Sequence, residues 1–133
     1  MAMESANLLH GTIISGDRIG RTLGFPTANL QTADELPEDG VYVARMDWDS
    51  GSGYGMLNIG TRPTVNGNDR RAEMHLLHFK GNLYGKTVCV KLLHRIRKEI
   101  RFADTAALRE QMVADRRETE EFLLEKHGIR YEE

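Results

Sequence analysis

A small antiparallel β-sheet or barrel carrying one C-terminal helix is the fold class that this 133-residue sequence predicts. Three observations predict it. About six short runs before residue 94 are rich in β-branched, aromatic or alternating residues, and glycine or Asn/Asp clusters part them at hairpin distances. No helical pattern of ten residues intervenes before residue 103, which argues against a parallel α/β sheet. After residue 103 the character changes to one uninterrupted helical stretch.

The elements follow in order. The first strand is expected over 8–14 (LLHGTII) and the second over 26–30 (PTANL), opening on a proline. The third, 40–48 (GVYVARMDW), ends at the turn cluster Asp49-Ser50-Gly51-Ser52-Gly53, and the fourth covers 54–59 (YGMLNI). Asn66-Gly67-Asn68-Asp69 follows, and Asn-Gly is the strongest short hairpin signal. The fifth strand is expected over 72–79 (AEMHLLHF), before Lys80-Gly81-Asn82, and the sixth over 87–93 (TVCVKLL). From Asp104 to about Lys126 there is neither Gly nor Pro. Leu108, Met112, Thr119, Phe122 and Leu123 mark one helical stripe, with Asp104 or Thr105 as N-cap and Gly128 as stop. The expectation is one domain over 1–133, with a barrel over about 8–102 and a helix over about 104–126. The end of the chain, 130–133, is expected to fray.

Bulk properties narrow the function classes. With 40% hydrophobic and 29% charged residues the composition is that of an ordinary globular domain. A net charge of −2 supplies no global field for nucleic acid or an anionic membrane. The single cysteine, Cys89, excludes an intramolecular disulfide framework and fits a reducing compartment. The opening MAMESANLLH has no basic region followed by an apolar run, and no window approaches 18 apolar residues. A cytoplasmic protein is expected.

The richest stretch is GTIISGDRIGRTLGFPTAN, residues 11–29. Glycine lets a backbone approach a bulky anion, because no Cβ stands between its N–H and the ligand. Arg18 and Arg21 supply fixed positive charge in a fork that matches phosphate oxygens. If the residues after Pro26 are extended, Thr27 and Asn29 share a face, offering a hydroxyl and an amide oxygen of the kind Mg²⁺ accepts when phosphates bring the charge. The competing reading is turn chemistry leading into a Pro-initiated strand.

Other segments resolve against chemistry. Gly81-Asn-Leu-Tyr-Gly85-Lys86-Thr87 resembles a phosphate-binding P-loop, but it has three residues between its glycines where four are needed, and a strand follows instead of a helix. Pro63-Thr64-Val65-Asn66 repeats the Pro-Thr-x-Asn spacing, yet Asn66 precedes Gly67 and reads as a turn residue. His75 and His78, three apart on a strand, face opposite ways and cannot share a metal. Glu73 shares a strand face with His75, Leu77 and Phe79. It reads either as a surface glutamate partnered by Arg70 or Arg71, or as a general base beside a substrate hydroxyl. The basic segment 94–102 (HRIRKEIRF) is either a solvated connection or a flap bringing Arg97 and Phe102 to a planar ligand by cation–π contact and stacking.

Taken in order, GR-x-LGFPTANL (20–30), LP-x-x-GVY (36–42), NIGTRPT (58–64), E-x-HLL-x-F (73–79), LYGK (83–86) and R-x-E-x-x-F (97–102) strongly resemble riboflavin kinase. In bacteria this is usually the C-terminal half of the bifunctional FAD synthetase. The resemblance runs from about residue 8 to 125. It implies a mainly β fold, a six-stranded antiparallel Greek-key β-barrel with one long C-terminal α-helix. It also implies transfer of the ATP γ-phosphate to the 5′-hydroxyl of riboflavin with Mg²⁺, giving FMN and ADP.

By position, the resemblance makes Thr27 and Asn29 the magnesium ligands, with Thr27 also touching ATP. Gly16 and Arg21 would lie along the nucleotide, and Leu76, His78 and Tyr84 would line its pocket. Glu73 would be the catalytic base, and Arg97 and Phe102 would contact the flavin. Two positions depart from the pattern: His78 stands where many bacterial relatives have Asp, and Ile100 where relatives carry Lys or Arg against the flavin. The partners implied are riboflavin/FMN and ATP/ADP, with a nucleotidyltransferase domain where such a barrel belongs to a longer chain. A non-catalytic flavin- or nucleotide-binding barrel is the alternative, but a pure binder needs neither base nor metal. An RNA-binding barrel is disfavoured by the charge and by the lack of an aromatic platform, so no nucleic acid and no membrane partner is expected. The His-x-Gly-His signature of the FMN-adenylating domain is absent: His127-Gly128 is followed by Ile129, and His10-Gly11 by Thr12.

Overall fold

Residues 7–15 and 27–131 are described in a computed structural model of the chain. Gly16, Arg18, Arg21 and Pro26 lie outside them, as do 132–133. Six strands form: β1 (Leu8–Ser15), β2 (Ala28–Thr32), β3 (Gly40–Trp48), β4 (Gly51–Thr64), β5 (Gly67–Leu76) and β6 (Thr87–Arg97), followed by α1 (Thr105–His127). All pairs are antiparallel, in the order β1-β2-β5-β4-β3-β6, and β1 closes on β6 to complete the barrel. The spatial run β6-β3-β4-β5 is a Greek key: a three-strand meander with the fourth strand returned beside the first.

The strand periodicity explains where the core sits. On β3, Tyr42, Ala44 and Met46 point into the barrel and join Leu9, Ile13, Leu30, Leu57, Ile59, Met74 and Val90 in one buried cluster. Val41 and Val43 point the other way and are also buried, because α1 covers that outer face. This is why β3 reads as a nearly continuous apolar run rather than an alternating one. On β5, Ala72 and Met74 are in the inner cluster, so Glu73 and His75 face outward.

Several strand boundaries differ from expectation: β2 runs over 28–32 rather than 26–30, and β5 begins at Gly67 rather than at residue 72. β4 is longer than expected, since Trp48 pairs with Gly51 and leaves Asp49-Ser50 as a two-residue loop. The glycines read as turn punctuation are there for room. A Cβ on Gly51 would stand 3.2 Å from the Trp48 ring, and one on Gly55 would overlap the carbonyl of His75. At the other end of β4, Thr64 pairs with Gly67, so the two-residue loop is Val65-Asn66, one residue earlier than the Asn66-Gly67 turn that the signal predicts, and Gly67 opens β5. β5 stops at Leu76, not at residue 79. His78 takes a positive φ of 53° and turns the chain there. Phe79 is thereby taken off the Glu73 face and packs edge-on against Trp48, their ring centroids 5.7 Å apart.

β6 continues to Arg97, and two irregularities in its pairing with β3 leave Leu93 and Ile96 out of register. Such bulges re-aim the residues that follow. Leu93 and Ile96 pack on the outer cluster under the helix. The helix ends are as the sequence marks them. Asp104 caps the start, accepting from the Ala107 amide at 2.8 Å. Gly128 closes the end at φ 67°, its N–H and that of Ile129 reaching back to Leu124 and Leu123. No helix among the described residues is long and apolar enough to cross a membrane.

Candidate active site

Two pockets meet at Thr27. The first, about 210 Å³, opens at the barrel mouth between Ile13, Met46, Met74 and Leu76 on one side and the segment carrying Phe79, Leu83 and Tyr84 on the other. The second, about 190 Å³, lies on the outer face of the barrel beneath α1. Thr27 lines both. Its hydroxyl stands 3.4 Å from a carboxylate oxygen of Glu73.

Register builds the second pocket. Glu73 on β5 is opposite Asn29 on β2 and Asn58 on β4, and Val41 on β3 is opposite both Asn58 and Arg97. Residues paired across antiparallel strands share a face, so one row crosses five strands, polar at every position but Val41. Leu108, Met112 and Asp115 of α1 wall the pocket from above, and Glu99, Ile100 and Phe102 close its side. Glu73 is half-buried there, beside the buried His75. Of the two arginines near it in sequence, Arg70 holds Asp39 and the carbonyls of Leu36 and Pro37, and Arg71 donates to Asp69 at 2.8 Å and lines a pocket together with Glu73.

Asn29 presents a buried side-chain oxygen that accepts no hydrogen bond. A neutral amide oxygen held bare next to a carboxylate suits a hard cation. Among the described residues no group of three or more His, Cys, Asp or Glu side chains could hold a metal ion. A divalent cation here would therefore be held by Asn29, the Thr27 hydroxyl and the phosphates of a substrate.

The structure brings Thr27, Asn29 and Glu73 together and places Leu76 and Tyr84 on the first pocket. His78 is corrected. It lines neither pocket, because its left-handed turn sends the ring to α1, 2.9 Å from Glu120 and stacked on Tyr131 with ring centroids 4.3 Å apart. Arg97 and Phe102 both line the second pocket, but Arg97 is committed inside the protein. Its Nε and Nη2 donate to the two oxygens of Asp115 at 2.9 and 2.8 Å, and its Nη1 donates to the Lys98 carbonyl at 3.1 Å. Its cation–π partner is Phe102, 5.8 Å from the guanidinium carbon to the ring centroid.

Sequence reasoning missed Asp115, Asn58 and Glu99. Asp115 falls on the helical stripe between Met112 and Thr119, where a carboxylate breaks the apolar pattern, and that break is the signal that could have found it. Glu99 is half-buried between this pocket and a neighbouring one lined by Gly60, Thr61, Arg71 and Arg101. Burial pushes its carboxyl above the ordinary range, helped by Asp39 and Glu73 and opposed by the Ile100 amide and Arg97. Gly60 leaves the space for it, since a Cβ there would collide with the Glu99 carboxylate.

Comparison with known proteins gives a consistent result. A family model described as Flavokinase: Riboflavin kinase matches residues 4–123. The chain is 40% identical over 109 residues to the bifunctional riboflavin kinase/FMN adenylyltransferase of Haemophilus influenzae, covering 80% of this chain and 35% of that protein. The chain thus spans little more than a third of the length of that relative. A solved structure described as a macrolide-efflux protein from Streptococcus pneumoniae is 35% identical with a TM-score of 0.77, covering 84% of this chain and 38% of that one. The solved riboflavin kinase from Trypanosoma brucei shares the fold with a TM-score of 0.63 at 21% identity, covering 90% of this chain and 81% of that one.

Proposed function

This chain belongs to the riboflavin kinase family, and on that premise we propose that it transfers the γ-phosphate of ATP to the 5′-hydroxyl of riboflavin, giving FMN and ADP. The observation that carries the proposal is the meeting of two pockets at Thr27, beside Glu73. A transfer between two substrates needs two sites that touch at one point, and the base belongs at that point.

In this reading the mouth pocket receives the nucleotide, with Leu76, Leu83 and Tyr84 against its base. The pocket under α1 receives the flavin among Val41, Met56, Phe102 and Met112. Glu73 accepts the proton of the ribityl hydroxyl as the bond to phosphorus forms. Thr27 and Asn29 would hold Mg²⁺, which when bound neutralises phosphate charge. Gly16 and Arg21 are proposed along the phosphates by family position, and Arg97 and Phe102 at the ring. Phosphoryl transfer asks the protein for positioning and charge neutralisation more than covalent chemistry, and this set of residues supplies both.

The test is to incubate the protein with riboflavin and Mg-ATP and separate the flavins by chromatography. Appearance of FMN with stoichiometric ADP is expected. Retention of riboflavin unchanged, with saturable binding of either ligand, would instead support the non-catalytic barrel.

A further inference from the structure

We propose that Asp115 is a positioning residue for the flavin pocket, acting through Arg97 to fix the ring of Phe102; the proposal rests on the kinase reading above. Phe102 lies in residues 98–104, between the end of β6 and the start of α1, where no strand or helix ladder sets the backbone. Its ring is therefore placed by side-chain contacts, and Arg97 makes one of them across the ring face. A guanidinium free to move would not locate an aromatic ring. This one is locked, with Nε and Nη2 forked onto Asp115 and Nη1 on the Lys98 carbonyl.

Asp115 is itself held. It is 4% exposed, and Gln111 donates to its Oδ1 at 2.9 Å from one turn earlier on the helix. Arg97 stands directly across β3 from Val41, so the clamp joins the helix to the strand row that carries Glu73. A buried ion pair is costly, and well-packed apolar residues of similar size commonly serve stability as well or better. Stability alone therefore does not account for a carboxylate at this point of the helical stripe. Locating a guanidinium, and through it an aromatic wall of the ligand pocket, does.

The experiment compares steady-state kinetics of wild type, Asp115→Asn, Phe102→Ala and the pair Arg97→Met/Asp115→Leu, with riboflavin and Mg-ATP. Asp115→Asn is expected to raise the riboflavin KM about tenfold, the scale of one well-placed aromatic contact, with a smaller change in kcat and none in the ATP KM. In the Phe102→Ala background the same substitution should add nothing, because coupled residues are non-additive. The apolar pair keeps the test sharp if Asp115→Asn folds poorly: it should melt at or above the wild-type temperature and still show the raised riboflavin KM. A wild-type riboflavin KM in the folded pair variant would overturn the proposal, as would an undiminished effect of Asp115→Asn when Phe102 is absent. Failure of the wild type to form FMN would overturn the kinase reading and this proposal with it.

Discussion

At the residue scale the proposed site turns on three side chains, Thr27 just before β2, Asn29 on β2 and Glu73 on β5. Thr27 and Asn29 share a face because they are two apart on an extended segment, and β-pairing brings that face opposite Glu73. Thr27→Ala and Asn29→Ala are each expected to lower turnover on the order of 10²-fold, the usual cost of one preorganised electrostatic contact, with the circular dichroism spectrum unchanged. Wild-type turnover at limiting Mg²⁺ in either variant would remove that residue from the metal site. Glu99 carries a pH prediction. Its carboxyl binds a proton more tightly in the fold than in the unfolded chain, chiefly through burial. The stability it contributes is present below the ordinary carboxylate range and is lost as pH rises through the elevated value. Glu99→Gln cannot ionise, so its melting temperature should gain on the wild type at about pH 7 relative to about pH 4. An equal difference at both pH values would contradict the assignment.

At the element scale the strands are set by pattern, and their lengths by packing. Gly55 lies where β4 and β5 press closest, so Gly55→Ala should destabilise by about 1–3 kcal/mol, the cost of overpacking, measurable by urea denaturation. A stability equal to wild type would mean that the strands can part without penalty. Much of this level was legible. The Asp104 and Gly128 caps, the inward–outward alternation of β5 and, to within one residue, the turn before it all follow from local chemistry. The end of β5 was not, because nothing in a histidine marks it for a positive φ, and the turn at His78 takes Phe79 off the Glu73 face and sets the His78 ring against Glu120. Asp115 was missed because its partner, Arg97, is 18 residues away. A search for an apolar stripe passes over the charged residue within it. Glu73 reads as a surface residue or a base from spacing alone, and its place opposite Asn29 and Asn58 comes from strand pairing that no local pattern encodes.

At the scale of the whole molecule, closure of the barrel joins what sequence separates: β1 meets β6 and β2 meets β5 across long intervals that no local pattern encodes. That closure sets the barrel-mouth pocket and the helix-covered pocket against each other, meeting at Thr27. The relative from Haemophilus influenzae is named for adenylation as well as phosphorylation, whereas the 133 residues here carry no His-x-Gly-His. FMN and Mg-ATP given to this chain should yield neither FAD nor pyrophosphate, and FAD formed as fast as FMN would contradict that. The central claim is that Glu73 takes the proton at the junction of the two pockets. Its most direct measurement is single-turnover conversion of bound riboflavin by wild type and Glu73→Gln, alongside riboflavin affinity from flavin fluorescence. The conversion rate should fall about 10²- to 10⁴-fold, as for loss of a general base, while affinity stays close to wild type. Conversion only a few-fold slower, or a loss confined to binding, would contradict the account.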